Sequence, residues 1–170
     1  MREPRGIGIG IVAVLLACCV IASPASAGEG IKVGSPAPTF ALTDENDRVV
    51  DFGTLIDRPT IIYFTHNACF YCTQIILYLK RAEKKFGKER LRIMGINIMA
   101  KDKNLIRAYK QALGFTYPMF SGNREDLLNA YRINYVPVIV FVDPKKIVRN
   151  VVGHYIHEEE LEENIRKLMK

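Results

Sequence analysis

The run Pro59–Thr65, "PTIIYFT", constrains the fold most: it is β-branched and aromatic, has no polar alternation, and suits a central strand covered on both faces. "LRIMGINIM", Leu91 to Met99, reads as a second buried strand of the same kind. Between them the spacing predicts a helix over about Phe70–Phe86, with Ile75, Ile76, Leu79, Ala82 and Phe86 on one face and Gly87 as its stop. "NLIRAYKQALG" is then a helix ending at Gly114, followed by a short extended "YPMFS" and the helix "NREDLLNAYRI", for which Asn123 is the expected cap. "PVIVFVD" and "KIVRNVVG" predict two strands joined at "DPKK", a connection tight enough to make them antiparallel. "HEEELEENIRKLMK" closes the chain as a helix with acids in its first turn and cations in its last, as its dipole favours. The class is α/β with an antiparallel hairpin at one edge.

Upstream, residues 28–38 ("GEGIKVGSPAP") are rich in Gly and Pro and read as an extended lead-in, and "TFALTDENDRVVDF" predicts a short β-hairpin around "DEND". Residues 39–170 then make one domain, and 49% hydrophobic with 25% charged residues suits a single packed core. Residues 1–27 stand apart. Arg2 and Arg5 precede the uncharged run "GIGIGIVAVLLACCVIAS", and "SPASAG" sets small residues at Ala25 and Ala27, the pattern of a secretory signal peptide cut after Ala27. Two other fates fit the same residues: "LLAC" makes Cys18 a candidate lipoprotein cysteine, and the run is long enough to stay as an uncleaved anchor. Each fate puts the domain outside the cytoplasm, periplasmic after cleavage or held at the membrane. The formal charge is +6, but Lys and Arg alternate with acids in "KRAEKKFGKER", so solvated helix faces are expected rather than a nucleic-acid surface.

Signal cleavage would remove Cys18 and Cys19 and leave Cys69 and Cys72, in "HNACFYC", as an isolated pair where strand gives way to helix. A cysteine just before a helix meets unsatisfied backbone N–H groups and the positive end of the dipole, which stabilise a thiolate. Cys69 has that position, and Cys72, one turn along, is placed to attack a mixed disulfide formed at Cys69. Cys69 is therefore expected to be the exposed attacking sulfur and Cys72 the buried resolving one. A purely structural disulfide across so small a loop would stabilise little. A closed zinc site needs more ligands than one C-x-x-C supplies. Phe70, Tyr71, Tyr135 and Tyr155 are candidates for an apolar lip around the sulfurs, while Tyr135 and Phe70 also fit a core. Met94, Met99 and Met119 read as packing residues.

Strand, C-x-x-C at a helix start, strand, helix, then "YRINYVPVIVFVD" with a proline opening the hairpin strand: this succession resembles the thioredoxin fold. The segment of about Leu91–Gly114, with "VGSPAPTFALTDENDRVV" ahead of the motif, is similar to the extracytoplasmic TlpA/ResA group of thiol-disulfide oxidoreductases in the redoxin superfamily. The resemblance covers nearly all of the chain after the signal segment. It implies a thioredoxin fold with an N-terminal β-hairpin and a central strand-helix insertion. It also implies disulfide exchange with protein substrates, apocytochromes c among them, with no cofactor beyond the redox-active Cys69–Cys72 disulfide. A membrane-embedded thiol electron donor would restore the dithiol. Pro137 matches the family's proline that takes a cis bond facing the sulfurs, and Val136 would offer its backbone to an extended polypeptide. Gly153 matches a glycine beside the site, which would bring His154 near the cysteines.

Departures from the family bear on the chemistry. Tyr63 stands six before Cys69, where thioredoxins hold an acid, and Ile75 stands three after Cys72, where ResA-like proteins hold a glutamate. Ala68 and Tyr71 replace the usual Trp and Pro. Tuning of the Cys69 thiol would then fall to His66 or His154. A copper-binding relative of the same fold is the rival reading, with Cys69, Cys72 and His154 as ligands, although its familiar spacing is C-x-x-x-C. The peroxidase signature P-x-x-x-[T/S]-x-x-C fails at both cysteines, because Ile62 and His66 precede Cys69, and Thr65 and Cys69 precede Cys72.

Overall fold

Strand β3 (Thr60–Thr65) is buried at each residue, as its unalternating composition requires, and it lies in the middle of the sheet. The computed structural model describes residues 31–170; the expected signal segment lies outside the described residues. Strands β4 (Arg92–Asn97), β5 (Met119–Ser121), β6 (Val138–Val142) and β7 (Val148–Val152) join β3 in one sheet of order β5-β4-β3-β6-β7. β3, β4 and β5 are parallel, while β6 is antiparallel to both β3 and β7. β5 is the short extended "YPMFS": its pairing with β4 makes it an edge strand.

Parallel neighbours need crossovers, and two helices supply them: α1 (Phe70–Phe86) between β3 and β4, and α2 (Lys103–Leu113) between β4 and β5. α1 has the expected bounds and ends at Gly87 with φ +83°, while α2 ends at Gly114 in the left-handed region, φ +61°. α3 (Glu125–Tyr131) precedes β6, and α4 (Glu158–Leu168) closes the chain against α1 through Arg81–Glu158 and Lys85–Glu162 ion pairs. The expected Asn123 cap is not formed. Arg124 is the N-cap of α3 and its side chain makes no capping bond; its guanidinium binds Asp126 and the Ala41 carbonyl instead.

Strands β1 (Ala41–Thr43) and β2 (Val49–Asp51) form the expected hairpin as a separate two-stranded sheet. Asp44 shapes its turn by accepting the N–H groups of Asn46 at 2.8 Å and Arg48 at 2.9 Å. Glu45 ties that turn to the body, accepting from Lys110 Nζ and from the Met119 N–H. The lead-in is also bonded to the domain: Gly34 and Ala37 donate to the carbonyls of Val148 and Lys146, each at 2.8 Å.

Side chains alternate across the sheet, so two cores form. On one face Ile61, Tyr63, Ile93, Ile139 and Phe141 pack with residues of α1, α2 and α4, Cys72 among them. On the other, Ile62, Phe64, Met94, Ile96, Val138 and Val140 pack with Phe52, Leu127 and Tyr131. Met94 and Met119 are buried as expected, whereas Met99 is 59% exposed and is not a packing residue.

Candidate active site

β3 ends at Thr65, and the loop His66–Ala68 carries the chain to Cys69, the N-cap of α1. His66 folds this loop: its Nδ1 accepts the Ala68 N–H at 3.1 Å, and its carbonyl accepts the Cys69 N–H at 3.3 Å. Asn97, wholly buried at the end of β4, braces it from the side, its amide donating to Asn67 Oδ1 while its own Oδ1 accepts the N–H groups of Met99 and Ala100. Cys69 and Cys72 are joined in a disulfide with Cα atoms 5.2 Å apart.

The two sulfurs sit in different surroundings. Cys72 is 0% exposed within the core under α1, whereas Cys69 is half-buried at the rim. The Cys69 Sγ accepts the Cys72 N–H at 3.1 Å, taking the place an Asp or Ser oxygen has in an ordinary N-cap. α1 carries no acid in its first turn and two cations, Lys84 and Lys85, in its last, so nothing on the helix neutralises its positive end at Cys69.

Across from the pair, the Val136–Pro137 peptide bond is cis, and the Val136 carbonyl lies 4.0 Å from the Cys69 sulfur. Phe70 is 71% exposed, Tyr71 57% and Tyr135 61%, so neither Phe70 nor Tyr135 belongs to a core. Phe70 and Tyr71 stand edge to face at 5.7 Å, and Tyr71 continues into Tyr155 at 5.1 Å. Tyr155 is anchored to Tyr78 by a 2.7 Å hydrogen bond, which also raises the Tyr155 phenol above its usual range. The Tyr135 hydroxyl lies beside Gly153, where an added Cβ would meet it at 3.1 Å.

His154 is exposed on the loop after β7. Among the described residues no three His, Cys, Asp or Glu side chains cluster as a metal site, and both cysteines are held in their disulfide. Missed in the sequence were the buried hydroxyls beneath the pair. Tyr63 donates its hydroxyl to the Cys72 carbonyl at 3.0 Å, and Tyr109 shares a 3.0 Å hydrogen bond with Thr65. Burial raises the phenols of both Tyr63 and Tyr109 above their ordinary value. The available signal was Tyr63 itself, a phenol facing the helix from a fully buried strand.

A half-buried sulfur at a helix N-terminus, bonded to a buried one within a thioredoxin fold, defines the class: this is a thiol-disulfide oxidoreductase. The AhpC/TSA family model matches residues 33–151, and the chain belongs to that family. It is similar to the thiol-disulfide oxidoreductase ResA of Bacillus subtilis, with 26% identity over 126 residues, covering 74% of this chain and 70% of the relative. It is also similar to the methylamine utilization protein MauD of Methylorubrum extorquens, 26% identical over 122 residues, 71% of this chain and 57% of the relative. Among solved structures, a thiol:disulfide interchange protein DsbE from Chlorobium tepidum superposes with TM-score 0.74 at 15% identity, over 83% of this chain and 100% of that one. The thioredoxin domain of a thiol-disulfide oxidoreductase from Bacteroides vulgatus gives TM-score 0.71 at 18% identity, over 83% of this chain and 100% of its own.

Proposed function

We propose that the protein reduces disulfides of polypeptide substrates outside the cytoplasm, with Cys69 as nucleophile and Cys72 as resolving thiol. The observation that carries this reading is the Cys72 N–H on the Cys69 sulfur at 3.1 Å, with Cys69 at the rim and Cys72 enclosed. A sulfur so placed is stabilised as thiolate by the backbone and the helix dipole, and that thiolate is the attacking form.

The Cys69 thiolate attacks one sulfur of the substrate disulfide, forming a mixed disulfide and releasing the first substrate thiolate. Cys72, having lost its proton, attacks the Cys69 sulfur, closes the Cys69–Cys72 disulfide and releases the second. Two electrons pass to the substrate. A membrane-embedded dithiol donor returns them, and apocytochromes c are the substrate class that the family resemblance implies. Val136 and Pro137 opposite the sulfurs, with Phe70 and Tyr71 exposed beside them, form the surface against which the substrate chain lies. Action outside the cytoplasm is supported by the signal-like residues 1–27; no helix among the described residues is long and apolar enough to cross a membrane.

An insulin-disulfide reduction assay tests the roles. Cys69→Ser is expected to be inactive and Cys72→Ser to accumulate mixed disulfides; an inactive wild-type protein would refute the reading.

A further inference from the structure

The floor beneath the redox pair is polar and neutral. Tyr63, 0% exposed, reaches from β3 to the first turn of α1 and donates to the Cys72 carbonyl at 3.0 Å. The Tyr109 hydroxyl donates to the His66 carbonyl at 3.4 Å, which leaves Thr65 as the donor in their 3.0 Å contact. Among the described residues the buried carboxylates are Asp44 and Asp143, each held in a hairpin turn with its own arginine, Arg48 or Arg149. Cys72 thus has a fixed donor on its carbonyl while its N–H is given to the Cys69 sulfur.

Resting on the redox reading above, we propose that Tyr63 is a positioning residue. Its hydroxyl pins Cys72 to β3, so that the Cys72 N–H stays aimed at the Cys69 sulfur when the disulfide is open. The physical reason is that an opened disulfide frees the first turn of α1 from its covalent tie, and helix ends fray. A bond from a buried, unalternating strand replaces that tie. Tyr63 suits the task because its phenol is enclosed and keeps its proton throughout the range in which thiols titrate. It is a donor that neither adds charge beneath the thiolate nor accepts the Cys72 proton at neutral pH.

Other titratable groups facing this region are Tyr109 from α2 and Tyr117 just before β5, both raised by burial. Glu83 of α1 is bonded to Thr116 and lies within ion-pair distance of Lys88; Lys110 of α2 is bonded to Glu45 and to the Tyr117 carbonyl. On the solvent side stand His66, Tyr71, His154 and Tyr155. Tyr63 is the one phenol of this set bonded to Cys72.

The test is the pH dependence of Cys69 alkylation by iodoacetamide in the reduced full-length protein, followed by mass spectrometry. Tyr63→Phe keeps the ring and its packing and removes the bond. It is expected to raise the midpoint of the alkylation profile, so that alkylation below that midpoint slows about threefold, a shift of about half a pH unit. Tyr109→Phe, which removes a hydroxyl not bonded to Cys72, is expected to leave the midpoint in place. A role limited to stability would lower the melting temperature of Tyr63→Phe without moving the midpoint, and that result overturns the proposal. An equal shift in both variants overturns it too. Failure of the wild type to reduce insulin would strike the redox reading itself; an unmoved Tyr63→Phe midpoint in an active protein strikes the Tyr63 proposal alone.

Discussion

The two faces of the central sheet are built from the same strands and do different work. Tyr63 and Phe64 are neighbours on β3, both fully buried, and they point to opposite sides. Phe64 meets the ring of Tyr131 at 4.9 Å in a core of aliphatic and aromatic side chains, where the Tyr131 hydroxyl is satisfied by the Pro38 carbonyl at 2.5 Å. Tyr63 faces α1, in a core that also encloses Cys72, Tyr109 and Tyr117. Burying hydroxyls costs free energy unless each finds a partner, and the Tyr117 hydroxyl has none among the described residues. The face that carries the chemistry thus accepts buried polarity, and the other face supplies packing and holds the N-terminal hairpin.

The largest expected effect separates site from scaffold. Cys69→Ser should abolish insulin reduction, a loss of at least about a thousandfold for removal of a nucleophile, with circular dichroism unchanged. Retained activity would remove Cys69 from the role given to it. On the opposite face, Phe64→Ala should cost about 3–5 kcal/mol in denaturant unfolding, as large-to-small changes in a packed core do, while the Cys69 alkylation midpoint stays put. A midpoint shift there as large as that of Tyr63→Phe would show that the two faces are not independent.

Asp44 gives a smaller effect with a definite pH signature. Burial pushes its carboxyl up, but the Arg48 and Asn46 N–H groups and the Arg48 guanidinium outweigh it, and the carboxyl titrates below its ordinary range. A group depressed in the folded state contributes stability that is complete above its unfolded value, about pH 3.9, and lost as pH falls through the lower folded value. Asp44→Asn should therefore cost about 1–2 kcal/mol at neutral pH and flatten the fall in melting temperature below about pH 4. A mutant whose acid profile matches the wild type would show that the turn does not depend on this charge. Smallest is Phe70→Ala at the rim. It should raise KM for insulin about threefold with kcat unchanged, the mark of lost uniform binding, and leave reaction with a small aromatic disulfide untouched. An equal loss with the small disulfide would place Phe70 in the chemistry instead.

Much of this was legible in the chain. "PTIIYFT" has the composition of a strand covered on both faces, the apolar spacing from Phe70 to Phe86 fixes α1, and C-x-x-C at the junction marks the site, because each depends on local periodicity or on adjacent residues. The Asn123 cap is not formed: the N-cap of α3 falls one residue later, at Arg124, whose guanidinium is held by its near neighbour Asp126 and, across the fold, by the Ala41 carbonyl, a contact that no local pattern shows. Met99 reads as packing by composition, yet it is exposed, since burial belongs to a position and not to a residue type. His66 looked like a group for tuning the thiol, and its Nδ1 proves to be occupied in folding the loop.

The sequence alone determined that Cys69 and Cys72 stand one turn apart at a strand-to-helix junction, which of them begins the helix, and which runs suit a buried sheet, since all of these follow from neighbours along the chain. Only the tertiary structure decided what lies beneath them. That a phenol on β3 bonds the Cys72 carbonyl depends on β3 and α1 packing at one distance and one register, and such contacts between separate elements leave no local pattern to read.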